Sequence, residues 1–564
     1  MGPAGGKRRL SLAELAGETF DAIVVGSGAT GGVAAMVLTR GGCRVLVLEA
    51  GPALAAAEAF SGEPLNGLRR AVGVASGRHR LQARHPGYWK ANPRLYVDEH
   101  RHPYETPADA PFLWTRGRQV GGRSLTWGGI TLRLSDREFS AAGRDGIGID
   151  WPIRHRDLEP HYRRLERLLG VHGGRDGLPD LPDGDLQPPL PFTPGELWLQ
   201  RHCRDALGLA LIHSRGFRLA HPGLAGWPGS SAQGGALGHA LATGRAQLAS
   251  GAIVARLLLN RSGERAEGVL ALERSSGRRH RLRADLVVLC ASTIESVRLL
   301  LASREAEDSG GVLVDPSGGL GRHLMDHVST SCFFRLPVGA VPDAAAELSG
   351  AGSIFLPDPL LPGEIGAPPF LRHYGLWGAV QRFDPPAALR RHPACASGFL
   401  IGHGEVLPDP ANRVELSERR DAWGLQVPRI TMRWGPNETR MVRHMALRMG
   451  QVIEAAGGTP ERFEDLFRLP LVEPVLRRAQ GGRDGEAAPP GFYIHELGGA
   501  RMAASEEEGV LDPWNRLWRC PNCLVTDGSC WPSSGWQSPT LTSMALSWRA
   551  CEQALRRRGE RTPA

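Results

Sequence analysis

The chain predicts a nucleotide-binding α/β domain of Rossmann type, joined to an α+β domain built on a mostly antiparallel sheet. Three observations predict this. A short apolar run, Ala22–Val25, leads into Gly26-Ser27-Gly28-Ala29-Thr30-Gly31, a helical pattern and a second apolar run, Val45–Leu48, closed by Glu49. A later apolar run, Ala284–Leu289, is followed by the helix opening Ala291-Ser292-Thr293-Ile294-Glu295-Ser296, which returns the chain to the same domain. Between about 328 and 472, strand-like runs displace the strand–helix alternation, as a sheet-rich second domain requires.

The first unit has a direct physical reading. A GxGxxG turn between strand and helix, with an acid about eighteen residues past the last glycine, is the pattern of a dinucleotide site. Gly26, Gly28 and Gly31 let backbone approach a pyrophosphate. The turn residues Ser27, Ala29 and Thr30 lead into a helix N-terminus, whose unpaired N–H groups and positive dipole favour phosphate. Glu49 can accept from ribose hydroxyls.

Residues 52–113 are rich in Gly, Pro, His and Arg and read as irregular, a lid or cover. The stretch Gly117–Gly129 is a glycine-dense run of the kind that packs backbone against a large flat group, or makes tight turns at a domain seam. Residues 151–170 are helical through Leu158, Tyr162, Leu165, Leu168 and Leu169, and 171–195 read as loop. Ala252–Asn260 reads as a strand. Ser292 with Glu295 has the spacing of a capping box. Strands are expected over Phe370–Val380, Gly398–Leu407, Arg413–Leu416 and Leu425–Trp434, with a helix over about 437–455 whose Met441, Met445 and Met449 face the core. The last helix starts near Pro539 with Ser538 as N-cap and runs past Ala554. The expected nucleotide-binding domain is therefore discontinuous: 18–60, 110–135, 240–327 and 491–564. Residues 61–109 form the excursion, 136–239 and 328–472 the substrate-binding domain, and 473–490 a linker.

Composition narrows the partners. The 564 residues are enough for two to four units, and the net charge of +8 is modest for that length. All but two of the 67 basic residues, Lys7 and Lys90, are arginine, which reads as a GC-rich genome. No dense basic run with interleaved aromatics is present, so nucleic acid is not expected as a partner. Of nine cysteines, only Cys520-Pro521-Asn522-Cys523 has a metal spacing; with no second pair nearby it reads as a turn entering a strand, and no metal is expected. The segment Met1–Phe20 carries Lys7-Arg8-Arg9, but Glu14, Gly17 and Glu18 interrupt any apolar run after it. No stretch reaches a membrane span, so the chain is expected in the cytoplasm without a membrane partner.

The GxGxxG with Glu49, the Gly117–Gly129 segment, the stretch Gly319-Leu320-Gly321-Arg322-His323-Leu324-Met325-Asp326-His327 and a C-terminal stretch occur in this order. That C-terminal stretch comprises Ile494–Met502, Leu524–Ser529 and Ser538–Thr542. Together they resemble the glucose–methanol–choline oxidoreductases, most of all the branch holding pyranose oxidase and the flavoprotein subunit of sugar-acid dehydrogenases. The resemblance covers nearly the whole chain and implies that the nucleotide is FAD. It implies flavin contact by Val120, Gly121, Gly122, Ser124, Thr126, Trp127 and Gly128. Some members tether FAD through a histidine in this loop; Thr126 stands at that place, so noncovalent FAD is expected. The resemblance also implies that Asp527 and Gly528 contact the ribityl and pyrophosphate, and that Thr540, Leu541 and Thr542 start a helix under the flavin pyrimidine. A helix N-terminus there stabilises negative charge on the reduced ring. Arg118, Val254 and Ser292 complete the candidate cofactor set.

Alcohol oxidation by a flavin removes a hydride from carbon to N5 and a proton from the hydroxyl to a base. Histidine suits the base because it titrates near neutral pH. The family pattern puts it six residues before Arg501-Met502, at His495. The family's second catalytic residue, Asn or His, falls on Ser538, which keeps a cap but is shorter and offers a hydroxyl; Gln537 is the alternative polar arm. The implied activity is FAD-dependent oxidation of a CH–OH group on a sugar-like substrate, such as an aminoglycoside hydroxymethyl in antibiotic biosynthesis. O₂ or another acceptor reoxidises the flavin. The alternatives are a non-redox, FAD-containing hydroxynitrile lyase and a dehydrogenase subunit that needs an electron-transfer partner.

Overall fold

The computed structural model describes residues 11–60, 65–218, 222–305, 311–339, 346–357, 360–361, 368–385, 389, 392, 394–461 and 486–561. Most of the expected linker, and the Lys7–Arg9 segment, lie outside these residues.

The nucleotide-side sheet contains, in chain order, β1 (Thr19–Val25), β2 (Val45–Glu49), β3 (Ala246–Ser250), β4 (Ala252–Leu259), β5 (Ala266–Glu273), β6 (Arg279–Leu289), β7 (Arg516–Leu517) and β8 (Cys520–Val525). Its spatial order is β7-β8-β6-β1-β2-β3. All pairs from β8 to β3 are parallel. Strand β1 is fully buried from Ala22 to Val24, the near-continuous apolar run that a strand covered on both faces needs. The long β6 does two jobs. Its first half joins an antiparallel β4–β5–β6 meander, and its second half enters the parallel sheet.

Register puts the site where it is. Val25 pairs with Leu48 on one side and Leu289 on the other, and Leu289 pairs with Val525. Four strands thus end level, with Gly26, Ala50, Cys290 and Thr526 next in the chain. Ligands of open α/β sheets bind at such carboxyl ends, where the connections leave a central strand in opposite directions. Helices α1 (Ala29–Arg40), α2 (Thr293–Arg304) and α3 (Thr540–Arg561) flank this edge, and α3 packs along α1.

The second sheet is antiparallel. Its order is Thr459–Glu461, Val328–Leu336, Ala396–Gly404, Tyr374–Val380, Ile354–Leu356, Ile212–His213. Helix Pro436–Ala455 lies on it through Met441, Met445 and Met449, all buried. Gly402 and Gly404 allow that approach, because a Cβ on either would meet the methionine sulfurs. The opposite sheet face turns toward the nucleotide side and closes the space above the strand ends.

Several sequence expectations need correction. The excursion is not irregular: Ala56–Phe60, Leu65–Ala75 and Pro86–Lys90 are helical. Gly67 and Gly73 obscured that pattern. Cys520 and Cys523 lie within β8 itself, buried and free, rather than in a turn before it. Ser292 does not form a capping box. Its φ is 78° and its side chain makes no cap bond, because Glu295 is drawn to Arg298 and Arg118 instead. Helix α3 begins at Thr540, one residue later than expected, with the Pro539 carbonyl accepting from Ser543 N–H. Ser538 therefore precedes the cap position. Helix His155–Leu169 packs on α3, with Tyr162 Oη 2.7 Å from Thr542 Oγ1.

Candidate active site

A cavity of about 1060 Å³ opens over the level strand ends and extends to the antiparallel sheet. The three motif glycines divide the work. A Cβ on Gly26 would collide with the Cys290 carbonyl, and one on Gly31 with the Gly26 carbonyl, so both are demanded by protein packing. A Cβ on Gly28 would meet nothing nearer than the Gly121 carbonyl at 3.9 Å. Gly28 is instead the open N-cap of α1; no side chain caps that helix, so its first N–H groups face the cavity. Ser27 turns away from it. Its hydroxyl donates to Glu49 Oε2 at 2.6 Å and accepts from Gly121 N–H at 3.0 Å, which ties the two glycine-rich turns together. Burial pushes the Glu49 carboxyl up, against hydrogen bonds from Ser27 and Gly51.

Across the cavity, Arg123 holds two strained turns. Its guanidinium donates to Ile494 O (3.0 Å), Ser292 Oγ (3.4 Å) and both oxygens of Glu496 (3.3 and 2.6 Å). Ile494 has φ 63° and Ser292 φ 78°, and for a β-branched residue such a value is a true outlier. One arginine thus ties together the Gly-rich segment, the start of α2 and both neighbours of His495, Ile494 by its carbonyl and Glu496 by its side chain. At the far end Arg118 and Arg298 outweigh the burial of Glu295 and hold that carboxylate at about 2.

The chemistry concentrates around His495. A two-residue ladder, Met325 N–H to Leu497 O (2.8 Å) and Leu497 N–H to Met325 O (2.9 Å), sets Asp326-His327 beside His495. The Asp326 carboxylate accepts backbone N–H groups of His327 (2.8 Å), His495 (2.9 Å) and Gly491 (2.9 Å). Burial, with Glu496 nearby, raises Asp326 to about 7. The imidazoles meet at 2.8 Å, Nδ1 to Nδ1, and His327 Nε2 lies 2.8 Å from the Gly535 carbonyl. His403 stacks on Tyr493, ring centroids 5.0 Å apart. Burial lowers His327 to about 4 and His403 to about 3. It also lowers His495 well below the ordinary value, with both neighbouring histidines and Arg123 adding to the effect. At neutral pH, His495 is an uncharged imidazole on the cavity wall, the form a general base needs.

Of the residues singled out in the sequence, the structure brings Gly26, Gly28, Ala29, Thr30, Glu49, Arg118, Gly122, Ser124, Thr126, Trp127, Gly128, Val254, Ser292, His495, Asp527, Gly528, Ser538 and Thr540 to this one cavity. Ser27, Gly31, Val120, Gly121, Leu541 and Thr542 stand behind its wall. Leu541 is core, and the Thr542 hydroxyl is engaged by Tyr162. Gln537 is not an arm into the site. It is buried, with its amide oxygen on the Trp536 N–H. Sequence reasoning missed Arg123, Asp326, His327, Tyr493 and Glu496. The signal for three of them was present: Arg123 sits in the Gly-rich segment, and Asp326-His327 end a stretch read only as a family marker.

The residues fit a dinucleotide. The uncapped α1 start supplies N–H groups for a pyrophosphate, Glu49 supplies ribose acceptors, and open space lies over Gly28 and Gly128. Thr126, which lines the wall, has no ring nitrogen to bond a flavin. Among the described residues, no His/Cys/Asp/Glu group could hold a metal, and no helix is long and apolar enough to cross a membrane.

Comparison with known proteins points to one family. Family models described as GMC oxidoreductase, one N-terminal and one C-terminal, match residues 229–329 and 408–547. The 6'''-hydroxyparomomycin C oxidase of Streptomyces lividus is 28% identical over 95% of this chain and 91% of its own. Paromamine 6'-oxidase of Streptomyces fradiae is 28% identical over 94% and 91%. The 2-methyl-1,2-propanediol dehydrogenase of Mycolicibacterium austroafricanum is 26% identical over 95% of both chains. Among solved structures, formate oxidase of Aspergillus oryzae superposes with TM-score 0.63 at 16% identity, covering 96% of this chain and 99% of that one. Pyridoxine 4-oxidase from Mesorbium loti gives 0.59 at 17%, covering 94% and 98%. These two likenesses speak to the fold.

Proposed function

Because this chain belongs to the GMC oxidoreductases, we propose that it binds FAD noncovalently and oxidises a CH–OH group of an aminosugar, a hydroxymethyl of an aminoglycoside-like substrate. The observation that carries the reading is His495. A neutral, backbone-pinned imidazole shares one cavity with an uncapped GxGxxG helix start. Bound FAD supplies the hydride acceptor. The chain supplies the rest. His495 takes the hydroxyl proton at Nε2, while Asp326 and Arg123 keep its backbone in place. The start of α3 at Thr540 directs its dipole at the cavity and favours negative charge there. Ser538, also on the wall, offers a hydroxyl to orient the substrate oxygen.

The substrate class has its own support. The outer wall carries Phe333, Trp377 and Phe399, whose faces suit the apolar side of a sugar ring, and Asp384 and Glu486, which suit ammonium groups. Acid groups in the wall matter because the chain as a whole is cationic. Two relatives that match over most of both chains are named as oxidases of paromamine and a hydroxyparomomycin.

The test is anaerobic. Purified protein should carry flavin that bleaches with aminoglycosides bearing a free hydroxymethyl, and less with neutral sugars. Acid precipitation should release that flavin into the supernatant. Flavin-free protein, or colour retained in the pellet, contradicts the respective part of the proposal.

A further inference from the structure

The hydrogen-bond chain behind His495 contains more than a position. The geometry points to His327 as a positioning residue that fixes the tautomer of His495, so that Nδ1 carries the proton and Nε2 presents its lone pair to the cavity. This rests on the reading of His495 as the base.

The Gly535 carbonyl lies 2.8 Å from His327 Nε2. A carbonyl only accepts, so Nε2 of His327 bears a hydrogen. A neutral imidazole has one donor and one acceptor nitrogen, so Nδ1 of His327 is then an acceptor. The atom facing it at 2.8 Å is His495 Nδ1, which must therefore donate. A neutral His495 that donates from Nδ1 has a bare Nε2. Among the described residues that nitrogen has no protein partner, and the ring borders the cavity.

The reverse assignment fails on charge. If His495 Nδ1 accepted, His327 would have to donate from both nitrogens and carry a positive charge. The ring is buried among His403, Tyr493 and His495. The carboxylate of the adjoining Asp326 has its oxygens engaged by three backbone N–H groups. A buried cation without a paired anion is disfavoured by several kcal/mol, roughly. Burial accordingly holds His327 neutral at pH 7, having lowered it to about 4. The proton step balances with no further transfer. The substrate O–H breaks, an Nε2–H forms on His495, and His495 keeps its Nδ1–H on His327 throughout.

Two substitutions separate this role from simple packing. In His327→Asn, the amide oxygen can take the place of Nδ1 and still accept from His495, while the bond to Gly535 is lost. In His327→Gln, the longer amide can keep the bond to Gly535 but removes the acceptor beside His495. His327→Asn should reduce flavin within about tenfold of the parent, and His327→Gln should be slower by ~10²-fold or more. Anchoring alone predicts the opposite order. Flavin content and thermal midpoint are measured on both variants. Neutron diffraction of the parent holoenzyme gives the readout that needs no turnover: a hydrogen on His495 Nδ1 and none on Nε2. A hydrogen on Nε2, or the reversed order of the variants, overturns the inference. If His495→Ala still reduces flavin at the parental rate, the base reading itself has failed. If His495→Ala is slow while both His327 variants keep full speed, only the tautomer role has failed.

Discussion

Arg123→Ala should destabilise this protein far more than removing a half-exposed arginine ordinarily does. The Arg123 side chain is 29% exposed, but its partner Glu496 is 1% exposed and takes both of its ionic hydrogen bonds from Arg123. Truncation leaves a carboxylate in the interior without its cation, which typically costs about 3–5 kcal/mol. Water reaching the vacated guanidinium site pulls the figure to the lower end, about 3 kcal/mol. That corresponds to a fall of about 6–12 °C in thermal midpoint for a domain of about 150–250 residues. The loss of the bonds to Ile494 O and Ser292 Oγ works in the same direction, because it frees two positive-φ turns. The assay is a double-mutant cycle by thermal denaturation at saturating FAD: parent, Arg123→Ala, Glu496→Gln and both together. Neutralising the orphaned acid should restore much of the loss, with a coupling energy of ~2 kcal/mol. If Arg123→Ala lowers the midpoint by less than about 2 °C, or the double variant is weaker than either single one, the clamp reasoning is wrong.

Three further outcomes follow from the same geometry. His495→Ala should retain flavin yet slow its anaerobic reduction by ~10²-fold or more in stopped flow; an unchanged rate removes His495 as the base. Gly28→Ala should fold with a near-parental midpoint but hold FAD weakly, whereas Gly31→Ala should lose stability even without FAD, because its Cβ meets the Gly26 carbonyl; equal behaviour of the two would refute the division among the glycines. Acid should weaken the fold through the buried histidines. His403 is lowered to about 3 by burial, so between the unfolded value of about 6.5 and that point the unfolded chain binds the extra proton, and stability falls as pH falls. Asp326, raised to about 7, acts in the opposite sense over part of that range, so the comparison is a difference: His403→Phe should flatten the loss of thermal midpoint from pH 7 to 5. A parallel decline in both proteins would count against it.

The nucleotide half was legible because its signals are local. Strand, glycine turn, helix and acid lie within a stretch of about thirty residues, as a βαβ unit requires. The antiparallel sheet was legible as runs, since Tyr374–Val380 and Ala396–Gly404 keep their strand character in isolation. The helices of the excursion were not, because Leu65–Ala75 exposes Leu65, Leu68 and Val72 and tucks in Asn66 and Gly73, reversing the pattern used to recognise a surface helix. The caps failed for a different reason. Ser292 and Ser538 have the right side chains, but a guanidinium 169 positions away holds Ser292, and α3 starts two residues beyond Ser538. His327 was invisible as a functional residue because its meaning depends on His495, 168 positions later, and on a carbonyl at Gly535.

On the proposed reading of His495 as the base, the histidine pair also limits what kind of base it can be. In a Ser-His-Asp arrangement the orienting group is an anion, which stabilises the imidazolium once the proton has been taken. Here the orienting group is a neutral ring, and the carboxylate behind it is engaged by backbone N–H groups. Orientation is therefore supplied without charge compensation. A His495 so placed is reliably unprotonated at neutral pH, but it holds an acquired proton weakly, as burial and the neighbouring rings require. Such a group cannot strip an isolated alcohol of its proton to any extent. It becomes effective when the hydroxyl grows acidic, which happens as hydride departs from the adjoining carbon. The arrangement thus favours proton loss in step with C–H cleavage over prior formation of an alkoxide, and it returns the proton readily once product has formed.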